Sequence, residues 1–166
     1  MTDITLKAGD GFFIYKAGAI IIHENNILMV KNDTSPYYYP VGGRVRFGET
    51  SESAVIREVY EETMVTFEID RLAFIHENFF VADFMDNVYC HEIGLYYLMK
   101  QSANVNKNLL CNSVSINGVR ESLQWLPLDK LSDYHLFPEF FKTELKNLKN
   151  GIGHFITKNE KTSRAK

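Results

Sequence analysis

The sequence has little of several features that mark particular protein classes. Only two cysteines stand in 166 residues, without paired spacing, which argues against a disulfide framework or a metal knuckle and fits a reducing compartment. The net charge is −3, so no bulk positive charge is available to hold nucleic acid. The apolar run over residues 17–22 is too short to span a bilayer, and residues 1–10 lack a basic start followed by an apolar stretch. We therefore expect a cytoplasmic protein with no membrane partner.

The chain does have enough apolar material for one folded domain. Hydrophobic residues make up 45% of it and aromatic residues 13%. A chain of this length and content can bury a core. We expect a single domain over residues 1–156. Residues 157–166 carry several basic side chains among small polar ones, which predicts a disordered, solvated tail.

β-branched and aromatic residues predict most of the secondary structure. Strands are expected over residues 12–24, 27–30, 65–81, 88–99 and 122–126. Turns are expected at residues 25–26, 82–87 and 128–131, and a polar loop over residues 100–118. Helices are expected from Thr50 or Ser51 onward and over residues 138–148. Strands around one early and one late helix indicate an α/β (α+β) sandwich.

The densest chemistry lies in one short segment of the first predicted helix. Glu58, Glu61 and Glu62 stand at i, i+3 and i+4, so a helix brings their side chains to one face. Like charges at this spacing destabilise a helix by about 0.2–0.5 kcal/mol per pair. A bound divalent cation turns that repulsion into coordination, and Mg²⁺ or Mn²⁺ would share its oxygen ligands with substrate phosphates. The pattern therefore predicts a metal site for phosphate chemistry.

The wider spacing resembles the signature of the Nudix hydrolases. That signature reads Gly, any five residues, Glu, any seven, Arg-Glu, an aliphatic residue, any one, Glu-Glu, any one, Gly and an aliphatic residue. Eight of the nine fixed places agree here, at Gly43, Glu49, Arg57, Glu58, Val59, Glu61, Glu62 and Val65. The departure is Met64, where the family has a glycine that ends the helix. Either the helix runs on past Thr63, or Met64 adopts a positive φ at a cost on the order of 1 kcal/mol.

The resemblance implies a fold, a cofactor and a reaction. The implied fold is a Nudix-like α/β/α sandwich with a mixed curved sheet and a loop-helix-loop catalytic motif. The implied cofactor is Mg²⁺ or Mn²⁺, bound by Glu58, Glu61, Glu62 and the carbonyl group of Gly42. The implied reaction is metal-dependent hydrolysis of a diphosphate bond in a nucleoside diphosphate linked to another moiety. The expected partner is thus a nucleotide-type small molecule, and the resemblance also allows a homodimer.

Further residues are candidates for supporting roles. Arg57 stands among Glu49, Glu58 and Glu61, and its planar guanidinium is expected to orient these carboxylates. The base that takes the proton of water stays open between Glu58 or Glu61 and, outside the signature, Glu92 or Glu121. The candidates for the substrate side of the site are Lys31, Arg44, Arg46, Tyr39, Glu92 and Glu121.

Plainer interpretations stand beside these hypotheses. Three glutamates on one helix can be a solvated face, and the flanking cations and tyrosines can be ordinary surface and packing residues. Two other functions also remain open. A nucleotide or nucleotide-sugar sensor that has lost turnover is one, because Met64 departs from the signature. An RNA cap hydrolase is the other, although the net charge of −3 argues against it.

Overall fold

A computed structural model describes residues 2–82, 88–100, 112–114 and 120–159. Its helices are α1 (Ser51–Thr63) and α2 (Phe141–Glu144). Its strands are β1 (Thr5–Ala8), β2 (Gly11–Ile20), β3 (Ile22–His23), β4 (Asn26–Asn32), β5 (Tyr38–Pro40), β6 (Gly42–Arg44), β7 (Ile69–Ala82), β8 (Val88–Met99), β9 (Asn112–Val114), β10 (Arg120–Pro127) and β11 (Gly153–Lys158). No helix of this described part is long and apolar enough to cross a membrane.

The strands form two sheets. The first has the order β1-β2-β8-β7-β11, with β6 also paired to β2. It is mixed, because β2 runs parallel to β8 and β7 parallel to β11, whereas β7 and β8 are antiparallel. The second has the order β3-β4-β10-β9, with β5 also paired to β4. β6 and β5 therefore link the segment before α1 to both sheets.

Alternation along the strands separates the two larger apolar clusters of the described core. Ala17, Ala19 and Ile21 point to one side of the first sheet, where Ala54, Val55 and Val59 of α1 cover them. Ile20 points to the other side and packs with α2. Helices thus lie on both sides of the strands, which confirms the predicted α/β/α sandwich.

The structure confirms most predicted elements near the candidate site. β8 covers the predicted residues 88–99, and α1 begins where expected, with Thr50 as its N-cap. The hydroxyl oxygen of Thr50 accepts a hydrogen bond from the backbone N–H of Ser53, as the preference for threonine at helix starts requires. Of the predicted tip at residues 82–87, Ala82 is the last residue of β7 and residues 83–87 lie outside the described part of the chain. Most of the loop predicted over residues 100–118 also lies outside it, and its described residues 112–114 form β9 rather than a loop.

Three predictions for other segments were wrong. Residues 138–148, predicted as one helix, form only α2 and a 3-10 turn at Leu145–Asn147. The backbone N–H groups of residues 141–143 donate to the carbonyl oxygens three residues earlier, and this hydrogen-bond pattern winds the backbone more tightly than an α-helix. The strand predicted from residue 65 begins at Ile69. Thr157 and Lys158, assigned to the predicted tail, instead belong to β11 and pair with β7, and residues 160–166 of that prediction lie outside the described part of the chain.

Candidate active site

Met64 ends α1 without disturbing its acidic face. Its backbone takes φ 57° and ψ 18°, the left-handed region, and its N–H donates to the carbonyl oxygen of Tyr60. The helix therefore stops at Thr63, and of the two alternatives Met64 takes the positive φ. The methionine side chain points outward and is 71% exposed. The strained backbone is confined to Met64, after the end of α1, so Glu62 and the other glutamates keep their helical positions.

Arg57 binds three of the predicted carboxylates at once. Its Nε and Nη2 donate to the two oxygens of Glu49 at 2.9 and 3.0 Å, a bidentate pair. Its Nη1 donates to Glu58 and, at 3.3 Å, to Glu61, and Nη2 also reaches the carbonyl oxygen of Arg44. Hydrogen bonding to Arg57 lowers the pKa of Glu49. The side chain of Arg57 is thus fixed in one orientation and carries the carboxylates with it.

Glu58 lies against the glycine turn that precedes the helix. A Cβ built on Gly43 would come within 2.5–2.7 Å of the Glu58 carboxylate, so only glycine leaves room for it. The side chain of Glu58 is 17% exposed. Burial raises the pKa of Glu58, and the hydrogen bond and charge of Arg57 oppose that rise. The result is a largely buried carboxylate that packs against Gly43 and is hydrogen-bonded by Arg57.

Glu62 is the most perturbed carboxylate of the site. Its Oε1 accepts a hydrogen bond of 3.1 Å from the backbone N–H of Gly42. Burial raises the pKa of Glu62 to about 8, and the negative charges of Glu58 and Glu121 add to the rise, while Gly42 and Lys16 oppose it. The hydrogen bond from Gly42 and the charge of Lys16 do not compensate for the burial of the Glu62 carboxylate. A divalent cation bound beside Glu62 would compensate for it.

Residues from the second sheet complete the buried side of the site. The hydroxyl of Tyr39 on β5 donates to Glu121 Oε1 at 2.8 Å and accepts a bond of 3.2 Å from Asn32. Burial, followed by Glu121, raises the pKa of Tyr39. Lys16 on β2 places its ammonium 5.9 Å from the centre of the Tyr39 ring. The structure thus brings together Glu62, Glu121 and Tyr39.

The other predicted residues lie in different places. Arg46 is near α1, with Nη2 3.8 Å from Glu61 Oε1. Lys31 lies over the ring of Tyr38 at 5.0 Å, beside a cavity of about 560 Å³ lined by residues 31–36, Ser122 and Gln124. Strand alternation turns Lys31 away from Asn32 and therefore from the carboxylates.

Glu92 and Arg44 lie near the β8 side of the first sheet. Burial and then the charge of Glu92 raise the pKa of Cys90, and the charge of Arg44 lowers it. Burial and Glu92 also raise the pKa of Tyr96. Glu92 is itself a residue of β8, and strand alternation puts it on the same side of that strand as Cys90 and Tyr96, the two groups on which its charge acts.

Sequence reasoning missed two residues of the site. Lys16 and Asn32 stand on strands 41 and 25 residues before Arg57 along the chain, and no local pattern marks them. Lys16 acts electrostatically on Glu62, and Asn32 holds the Tyr39 hydroxyl. Only the pairing of β2 with β6 and of β4 with β5 brings these positions to the site.

The donor set fits a hard cation. Glu58 and Glu62 supply oxygen ligands one helical turn apart, and a bound cation would offset the burial that raises the pKa of Glu62. Glu61 is engaged by both Arg46 and Arg57, and Glu58 is also hydrogen-bonded by Arg57. Across the described residues, no three acidic, histidine or cysteine side chains are already gathered into a metal site. Cation binding would therefore require Glu61 to turn from its arginine partners.

Comparison with known proteins identifies the same region. The NUDIX domain model matches residues 13–146. A MutT-like protein of Streptomyces ambofaciens is 31% identical over 62 residues, which cover 37% of this chain and only 40% of that protein. The MutT NUDIX hydrolase of Burkholderia pseudomallei is 25% identical, with a TM-score of 0.53 over 70% of this chain and 84% of its own. The MutT mutator protein of Bacillus halodurans shares the fold, with a TM-score of 0.63 at 16% identity over 87% and 90% of the two chains.

Proposed function

Because the chain belongs to the NUDIX family, we propose that it hydrolyses the diphosphate bond of a nucleoside diphosphate linked to another moiety, with Mg²⁺ or Mn²⁺ as cofactor. The observation that carries this proposal is the constellation around Arg57 and Glu62. One arginine orients Glu49, Glu58 and Glu61, while Glu62 is buried with a pKa of about 8. A face of solvated glutamates would show neither the bidentate pairing nor the raised pKa.

The proposed metal ligands are Glu58, Glu61 and Glu62, together with the backbone carbonyl group of Gly42. A bound Mg²⁺ or Mn²⁺ would neutralise charge on the phosphoryl oxygens and lower the pKa of a bound water. Glu49 and Arg57 are assigned a positioning role, because their bidentate pair fixes the guanidinium that contacts Glu58 and Glu61. Gly43 leaves room for the Glu58 carboxylate.

The reaction adds one water across the bridging P–O–P unit. The water oxygen forms a bond to one phosphorus atom, the bond from that phosphorus to the bridging oxygen breaks, and that oxygen leaves on the other phosphate as an oxyanion, whose negative charge a bound cation would stabilise. The proton of water must pass to a base. Among the candidates outside the signature, Glu121 is favoured over Glu92, because its charge acts on Glu62 and Tyr39 holds its carboxylate at 2.8 Å. Glu58 and Glu61 stay candidates within α1.

The geometry gives no specific support to the sensor alternative. That alternative rested on Met64, whose left-handed backbone ends α1 and leaves the glutamates upstream in helical register. The pairing of Arg57 with Glu49 is likewise intact. An RNA cap hydrolase would need a basic surface for the phosphate backbone, and the net charge of −3 does not favour one.

The test is a substrate panel with resolved products. Nucleoside triphosphates, nucleoside diphosphate sugars and dinucleotides are incubated with Mg²⁺ and, separately, with EDTA, and the products are identified by ³¹P NMR. We expect a monophosphate product from at least one diphosphate compound, only with the metal. Glu62→Gln should abolish it, whereas Glu52→Gln, an exposed glutamate in the first turn of the same helix, should not. Metal-dependent binding of a panel compound without release would support the sensor and contradict the hydrolase.

A further inference from the structure

Arg46 and Arg57 contact the same glutamate but differ in how firmly they are held. All three nitrogens of the Arg57 guanidinium donate hydrogen bonds, and its side chain is 17% exposed. Arg46 is twice as exposed, at 34%, and its ion pairs are long, 3.8 Å to Glu61 and 3.9 Å to Asp3. These separations exceed a hydrogen bond. The guanidinium of Arg46 therefore stands in the site with donors that these two pairs do not use.

The backbone of Arg46 is nevertheless fixed. Its N–H donates to Glu49 Oε2 at 3.1 Å, and it forms a β-bridge with Asp3. The preceding residue, Val45, is fully buried. The long side chain thus pivots from an anchored Cα beside the acidic face of α1. The positive charge of Arg46 acts on that acidic face. It helps to lower the pKa of Glu49 and opposes the rise in the pKa of Glu58.

Glu61 is the movable member of the glutamate trio. Its side chain is 48% exposed, against 17% for Glu58, and its contacts with Arg57 and Arg46 measure 3.3 and 3.8 Å. Exposed pairs at such distances contribute little, because water and salt screen them. A cation that attracts Glu61 would separate it from Arg46 at little cost. Arg46 would then be left without its main acidic partner on α1.

We propose that Arg46 is a substrate-contacting residue that pairs with Glu61 in the metal-free protein and binds a phosphate oxygen of the substrate once Glu61 turns to the metal. The inference rests on the proposed function. A polyanionic substrate approaching Glu58, Glu61 and Glu62 needs positive charge from the chain as well as from the metal. Arg57 is already committed to carboxylates, whereas the planar fork of Arg46 has the geometry for bidentate phosphate binding.

The exchange predicts opposite effects on two ligands. In the metal-free protein Arg46 competes with the cation for Glu61, so Arg46→Ala should bind Mn²⁺ about two- to fivefold more tightly, as expected for loss of an exposed pair. The same variant should bind imidodiphosphate, a diphosphate that resists hydrolysis, about tenfold or more weakly at saturating Mn²⁺, as expected for a lost charged hydrogen bond. A residue with a merely structural role would weaken both.

The experiment measures the free Mn²⁺ signal by electron paramagnetic resonance and imidodiphosphate binding by calorimetry. Arg46→Lys should keep part of the imidodiphosphate affinity, since it keeps the charge and loses the fork. Arg71→Ala is the matched control, because its guanidinium contacts the carbonyl oxygens of Lys149 and Gly151 at another place on the surface. Thermal melting of each variant verifies that it is folded.

The outcomes separate this inference from the proposed function. If Arg46→Ala leaves both affinities unchanged, or weakens both, while the wild-type protein binds Mn²⁺ and hydrolyses a diphosphate, the inference is overturned and the proposed function stands. If the wild-type protein neither binds Mn²⁺ nor hydrolyses any compound of the panel, the proposed function fails and the inference fails with it. Tighter Mn²⁺ binding together with weaker imidodiphosphate binding supports the exchange.

Discussion

Replacement of Glu62 by glutamine should stabilise the metal-free protein, and increasingly so as the pH rises. The carboxylate is buried, receives one backbone hydrogen bond from Gly42, and faces the negative charges of Glu58 and Glu121. Its pKa is about 8 in the folded protein, against 4.5 as its ordinary value. Glutamine has nearly the same shape, keeps an oxygen that can accept from Gly42, and never ionises.

The sign of the effect follows from the raised pKa. Folding favours the protonated form of Glu62, so its contribution to stability is fully present below about pH 4.5 and is lost as the pH rises through about 8. Each pKa unit corresponds to about 1.36 kcal/mol. Between pH 5 and pH 7 the wild-type protein should therefore lose roughly 2–3 kcal/mol of unfolding free energy through this group, and Glu62→Gln should not lose it.

Urea unfolding in EDTA at pH 5, 6 and 7 measures this difference. The free energy of unfolding of Glu62→Gln minus that of the wild type should grow by roughly 2–3 kcal/mol over the range, whereas Glu52→Gln, at an exposed position of the same helix, should run parallel to the wild type. Parallel curves for Glu62→Gln and the wild type would refute the claim that burial of this carboxylate is uncompensated without a metal.

The same carboxylate links metal binding to pH. A cation binds the ionised form, so below pH 8 the binding of Mn²⁺ must displace the proton that Glu62 carries. The affinity for Mn²⁺ should rise between pH 6 and pH 8, and calorimetry in buffers of different ionisation enthalpy should detect close to one proton released at pH 6 to 7. Affinity independent of pH, with no proton released, would place the cation away from Glu62.

Three further predictions concern the turn, the helix end and the arginine. Gly43→Ala places a methyl group against the Glu58 carboxylate and should weaken Mn²⁺ binding at least tenfold. Gly151→Ala is the control, because a methyl group there meets open space and should leave Mn²⁺ binding unchanged. Equal Mn²⁺ affinities of Gly43→Ala and the wild type would refute the packing argument. Met64→Gly relieves the positive φ and should raise the unfolding free energy by about 1 kcal/mol in urea titrations; an unchanged or lower value would contradict it. Arg57→Ala should lower activity mainly by weakening metal binding, so saturating Mn²⁺ should restore much of the rate. A loss of rate that persists at saturating Mn²⁺ would count against the positioning role of Arg57.

Local pattern was sufficient to predict the acidic part of the site. Glu58, Glu61 and Glu62 lie within one turn of helix, so their common face follows from helical period alone. The cap at Thr50 and the bidentate pairing of Arg57 with Glu49 likewise depend on residues close in sequence. The alternating strands also revealed the sandwich, because their apolar residues had to meet helices on both sides.

The rest depended on contacts between distant segments. Lys16 and Asn32 reach the site only through strand pairing, and Glu121 could not be separated from Glu92 until the second sheet placed it beside Tyr39. β11 was missed because no local pattern marks it, whereas in its register against β7 Thr157 forms a hydrogen bond with Nε2 of the buried His76 ring. Sequence spacing carries no information on such pairings.

The most direct test of the central claim is an anomalous difference map from a crystal soaked in Mn²⁺. We expect a manganese peak within coordination distance of carboxylate oxygens of both Glu58 and Glu62. The side chain of Glu61 should have turned away from Arg46. A crystal that diffracts well but shows no peak at these carboxylates, with Glu61 still paired to its arginines, would contradict the central claim.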